Sequence, residues 1–166
     1  MDFLNRWPKT TGLIAGGASI LAIGFLIIHS IQSNQRPQGD LWFYDLKTKR
    51  LFPASDLSVP PIDTPSGSRT GVRAQVFSCG DCSEADRFIA YLEMLTPDGK
   101  RAVETQMKGN GGQTGIGFAL EKLPYAVLVR SPDNDAWYPQ SSPEGQAVVE
   151  TGRLKGGCAH PRPCVP

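Results

Sequence analysis

Histidine is nearly absent: the 166 residues contain two, His29 and His160. Histidine-based acid–base or triad chemistry is therefore confined to His160. The glycine-rich stretch GNGGQTGIG lacks the Gly-Lys-Ser/Thr of a phosphate loop and fits G-x-G-x-x-G in no frame, so it reads as a loop. Cys82 is followed by Ser83 and not by histidine, which excludes covalent haem attachment. No charge of one sign dominates. Of 17 Lys/Arg and 16 Asp/Glu, only Arg6, Lys9 and Asp2 precede residue 35, and the remainder balance. Neutrality argues against a nucleic-acid partner and a polybasic lipid-binding surface. Asp56, Asp63, Asp133 and Asp135 stand among turn residues and suit turns better than catalysis. No internal repeat is visible.

What the chain does contain is an uncharged apolar run from Gly12 to Ile31. Twenty residues at 1.5 Å each make a helix of about 30 Å, the thickness of a bilayer's hydrocarbon core. The run exceeds a signal-peptide core and continues through Ile27, Ile28, His29 and Ser30, which favours an uncleaved signal-anchor over a cleaved leader. Gly12 and Gly16 form a GxxxG, a face on which a second copy can pack as a homodimer. Arg6 and Lys9 precede the run, while Arg36, Lys47, Lys49 and Arg50 follow it, three of them within the domain beyond. Long domains translocate largely regardless of charge. The reading is residues 1–11 as a cytoplasmic tail, 12–31 as the span, 32–40 as a linker, and 41–166 as one small domain outside the cytoplasm. That places the protein in the inner membrane with a periplasmic domain and the lipid bilayer as a partner. The domain has length for a single core.

LWFYDL and RLF read as two strands around a polar turn. Four prolines between Pro53 and Ser68 predict an irregular segment. GVRAQVFSC alternates as a strand. SEADRFIAYLEML places Ala85, Phe88, Ile89, Leu92 and Leu95 on one helical face, with Ser83 as N-cap, and predicts a helix ended by Pro97-Asp98-Gly99. KRAVETQMK adds a turn or two. YAVLVR and DAWYP form a second hairpin, and Ser141-Ser142-Pro143-Glu144 starts a further helix. The expected fold class is α+β: a transmembrane helix, then a small mixed domain of short antiparallel hairpins and one or two helices.

Cys79, Cys82, Cys158 and Cys164 are the chemically distinctive set, and four cysteines allow three pairings. Outside the cytoplasm they form disulfides, either Cys79–Cys82 with Cys158–Cys164 or cross-links between the two pairs. A second reading is thiol–disulfide exchange catalysed by Cys79 and Cys82, since a helix N-terminus after a CxxC stabilises the attacking thiolate. Asp81 opposes that, being negative. A third is a zinc knuckle from these cysteines with His160 as alternative ligand, although the five residues between Cys158 and Cys164 exceed common zinc spacings. Trp42, Phe43, Tyr44, Trp137 and Tyr138 are candidates for an interaction patch or for the core.

WFYDLKTKRLF, PPIDTPSG, GVRAQVFSCGDC followed by DRFIAYLE, AWYPQSSPEGQ and a closing RPC-x-P resemble a family of small uncharacterised single-pass bacterial membrane proteins. The resemblance implies no activity, but it implies that the cysteine corner and the RPC tail belong to one structural unit. The function expected is a non-enzymatic binding or assembly component of the cell envelope, without a cofactor, whose partner is another envelope protein.

Overall fold

The computed structural model describes residues 39–109, 123 and 125–166. Aromatic-rich β1 (Asp40–Asp45) pairs antiparallel with β2 (Arg50–Ser55) around a tight turn. Asp45 accepts the backbone N–H of Lys47 and Thr48 through its carboxylate, and Lys49 takes a left-handed φ of 57°. β3 (Ile62–Thr64) and the twelve-residue β4 (Gly67–Ser78) follow, then β5 (Arg87–Leu95), helix α1 (Pro97–Gly109), β6 (Val127–Arg130), β7 (Tyr138–Pro139), helix α2 (Pro143–Leu154) and β8 (Arg162–Pro163).

All the strand pairings are antiparallel, in the order β2-β1-β4-β5-β6-β7, with β3 and β8 also on β4. Gly71 pairs with both Asp45 and Ile62, and Ser78 with both Arg87 and Arg162. One flank of β4 is therefore shared by β1 and β8, the other by β3 and β5. β4 is the spine of the domain, and its far end carries the cysteine corner.

Three apolar clusters fill the domain. Tyr44, Val72, Ala74, Val76, Leu92 and Cys164 form one, with Trp42, Leu51, Ile89 and Trp137 packed against it. Phe77, Ala90, Tyr91 and Val129 form the second, covered by Val148 and Val149 of α2. Val59, Leu95 and Val103 form the third, which α1 closes together with the proline-rich segment. α2 starts as its sequence suggests: the Ser142 hydroxyl accepts the Gly145 N–H at 3.1 Å, and Pro143 occupies the first turn. It lies so close to the sheet that a Cβ on Gly152 would stand 2.2 Å from the Ala90 carbonyl oxygen.

The expected fold class is corrected in two respects. The described domain is a single antiparallel sheet with two helices, and none of its helices is long and apolar enough to cross a membrane. The expected transmembrane helix at 12–31, with its Gly12/Gly16 face, and most of the glycine-rich loop lie outside the described residues. Second, of residues 83–95, expected as a helix, 83–86 form a loop and turn and 87–95 form strand β5, and Pro97-Asp98-Gly99 opens a helix instead of ending one.

A bulge explains why the residues of β5 carry a helical spacing. The register passes from Gln75↔Tyr91 to Val76↔Ile89 and leaves Ala90 as the extra residue. Across it, Ile89 and Leu92 reach one cluster while Phe88 and Tyr91 reach the other. A strand that alternates every two residues thus takes one step of three and imitates the spacing of a helix.

Candidate functional site: the cysteine corner

Ser78, the last residue of β4, is fully buried, and its hydroxyl accepts the N–H groups of Gly80 (2.8 Å) and Cys82 (3.4 Å). Cys79-Gly80-Asp81-Cys82 is thereby folded over the end of the strand. Cys82 adopts a φ of 67°, a left-handed conformation that costs a non-glycine residue about 1 kcal/mol. Asp81 accepts the Ser83 N–H at 3.0 Å, and this bond first of all, with that of the Ser83 hydroxyl, holds its carboxyl below the usual range.

The cysteines do not pair within the motif. Cys79 is bonded to Cys158 and Cys82 to Cys164, with Cα separations of 5.9 and 5.7 Å. The tail is held by more than sulfur: β8 pairs with Phe77 and Ser78, the Cys164 N–H donates to the Val76 carbonyl at 2.8 Å, and Arg162 donates to the Gly80 carbonyl. Corner and tail form one unit. The two bridges differ in depth. Cys164 is 7% exposed within the first apolar cluster, with Cys82 half-buried beside it, whereas Cys79 is exposed and Cys158 half-buried. Cys79 Sγ lies 3.2 Å from the Gly156 carbonyl oxygen, and a Cβ on Gly156 would stand 2.8 Å from the same sulfur, so only glycine admits this packing.

Two of the expected chemistries lose their geometric basis. Residues after Cys82 enter a loop and a strand, so no helix N-terminus is available to stabilise a Cys79 thiolate. The zinc reading needs cysteine thiolates, and all four sulfurs are in disulfides, which leaves the exposed His160 without cysteine co-ligands. Among the described residues no group of three His, Cys, Asp or Glu side chains is placed to hold a metal ion.

Three of the aromatic candidates lie in or against the first cluster. Tyr44 is buried in the first cluster, and Trp42 and Trp137 pack against it, each beneath a guanidinium: Arg87 at 4.5 Å and Arg130 at 5.2 Å from the ring centres. Tyr138 is half-buried on β7. Tyr44, Trp42 and Trp137 thus pack together, with cation–π contacts over the two indole rings. Beside them lies an open cleft of about 520 Å³, floored by Tyr44, Leu51 and Ile89 and rimmed by Lys49, Arg50 and Arg87. Its single carboxylate, Glu84, is 3.9 Å from Arg87.

One polar hub escaped the sequence. Asp45, 6% exposed, also accepts hydrogen bonds from Ser66 Oγ (2.8 Å) and Thr64 Oγ1 (2.9 Å), and Thr70 Oγ1 joins at 2.6 Å from Thr64. The Ser66 bond above all, then the turn N–H groups and Thr64, hold its carboxyl far below the usual carboxylate range against the opposing effect of burial. An Asp opening a polar turn signals the local N–H bonds. Nothing local signals hydroxyl partners that arrive from about twenty residues away.

The corner and fold together define a small antiparallel sheet domain with two helices, stapled by two disulfides. The chain matches no protein-family model, no curated protein and no solved structure.

Proposed function

We propose that this domain is a non-enzymatic binding or assembly component of the bacterial cell envelope, working in the periplasm. The observation that carries the reading is the pairing of both CxxC cysteines with the tail. Disulfides persist in oxidising compartments, and small domains rely on them where a single core is modest. The partner is another envelope protein. The cleft between Lys49, Arg50 and Arg87 offers it an apolar floor with a cationic rim, which suits an acidic segment carrying an apolar side chain.

The test is the intact mass of the full-length protein alkylated at lysis. A mass four hydrogens below the reduced chain, with no alkylation, supports the reading. Four alkylated thiols place the protein in a reducing compartment and overturn it. For the cleft, K49A/R50A should abolish co-purification of the envelope partner while leaving the melting temperature unchanged; unchanged co-purification overturns that assignment.

A further inference from the structure

We infer that Cys79–Cys158 is an exchange site for a dithiol reductant, and that opening it passes a disulfide to the CxxC motif and releases the tail. The inference rests on the disulfide pairing described above. Thiol–disulfide exchange requires an accessible sulfur, and the bridges differ in this respect: Cys79 is exposed, whereas Cys164 is buried among Val72, Ala74, Val76 and Leu92. The outer bridge, with one exposed and one half-buried sulfur residue, is more open to a dissolved thiolate than the inner one, with one half-buried and one buried. Cys79 is also three residues from Cys82, which carries the inner bridge, so the thiolate produced belongs to the same short turn, folded over Ser78, as the less accessible bridge.

The chemistry balances without a further reagent. One thiolate of the dithiol attacks Cys79 Sγ; the bond to Cys158 breaks, and Cys158 leaves as a thiolate and is protonated. The second thiol of the reductant attacks its own mixed disulfide, closes the reagent's ring and frees the Cys79 thiolate. The reductant has then lost two electrons, and the protein has gained them. Cys79 next attacks Cys82 Sγ, the bond to Cys164 breaks, and Cys164 takes up a proton. This last step is an isomerisation. The products are a Cys79–Cys82 disulfide and thiols at Cys158 and Cys164.

The physical outcome is a changed surface. After exchange the tail is held by the two-residue pairing of β8, the Cys164 N–H bond to Val76 and the Arg162 bond to Gly80. Its departure uncovers the apolar cluster that Cys164 fills. A CxxC whose cysteines have separate partners in the resting fold thus becomes the acceptor of the bridge when the outer one opens, and the Cys82 backbone is free to leave its left-handed conformation.

The experiment treats the full-length oxidised protein with one equivalent of dithiothreitol, traps thiols with an alkylating agent and maps the products by peptide mass. The starting material is mapped first; any pairing other than Cys79–Cys158 with Cys82–Cys164 overturns the disulfide reading itself. With that pairing present, alkylation at Cys158 and Cys164 together with a Cys79–Cys82 peptide is the expected result. Alkylation at Cys79 and Cys158 with Cys82–Cys164 retained overturns the inference, as does simultaneous alkylation of all four. In C79S/C158S, Cys164 should become reactive at least about tenfold more slowly than in the wild type, because no internal thiolate is present. An equal rate likewise overturns it.

Discussion

Replacing Cys79 and Cys158 together by serine removes the outer bridge and tests how the two staples share their effect. Taken alone, either bridge closes a loop of 79 or 82 residues. The loop-entropy relation gives about 4.5 kcal/mol for a ring of that size. The two loops overlap almost end to end, however, and with Cys82–Cys164 intact the ends that Cys79 and Cys158 join are already close in the unfolded chain. The remaining ring runs only from 79 to 82 and from 158 to 164, about ten residues, for which the same relation gives roughly 2.7 kcal/mol. C79S/C158S and C82S/C164S should therefore each lose about 2.7 kcal/mol, and the variant lacking both should lose about 7 kcal/mol, well beyond the sum of the two. Urea unfolding followed by tryptophan fluorescence measures all three, and the denaturant slope should rise as the unfolded chain gains freedom to expand. A loss near 4.5 kcal/mol in either single-bridge variant would refute the overlapping-ring reasoning even if the variant lacking both bridges were too unstable to measure, and strictly additive losses would refute it as well.

Further expectations follow from particular contacts. The depressed Asp45 carboxyl contributes stability that is present above the ordinary carboxylate range near pH 4 and is lost as pH falls below it, so thermal melts of Asp45→Asn should show a flatter decline between about pH 5 and pH 2 than the wild type. Gly152→Ala places a Cβ against the Ala90 carbonyl and should lower the melting temperature by roughly 5–10 °C, whereas Gly109→Ala, with nothing within 4 Å among the described residues, should be nearly neutral in the same calorimetric scan. Ser142→Ala removes the cap of α2 and should cost about 1 kcal/mol in urea unfolding. Leu92→Ala, at a fully buried position, should cost about 2–5 kcal/mol by the same measurement.

The parts of the fold legible in sequence were those whose signals are local. The aromatic run Trp42 to Tyr44, the alternation through Val72, Ala74 and Val76, and the capping residues before α2 each specify their own element, and the structure has a strand, a strand and a helix there. Strand β5 was illegible because a single bulge at Ala90 changes the phase of alternation, and no residue type advertises a bulge. Its neighbour is ambiguous for a related reason: Pro97-Asp98-Gly99 suits the first turn of a helix as well as the end of one, and only the nature of the element before it decides between them. At the site, the four sulfurs were evident but their partners were not, since pairing depends on β8 lying beside β4, a contact made across more than eighty residues. The aromatic residues were ambiguous between surface and core until their neighbours were known.

The distance along the chain between the members of each staple also sets a timetable for biogenesis. At about 5–20 residues per second, Cys158 and Cys164 emerge from synthesis roughly 4–16 s after Cys79 and Cys82. For that interval the only cysteine partner either early thiol has is the other, in the same tetrapeptide. Oxidation that is too prompt yields a short ring that must later be reopened, so the yield of correctly locked domain depends on the relative clocks of chain delivery and of thiol oxidation and isomerisation.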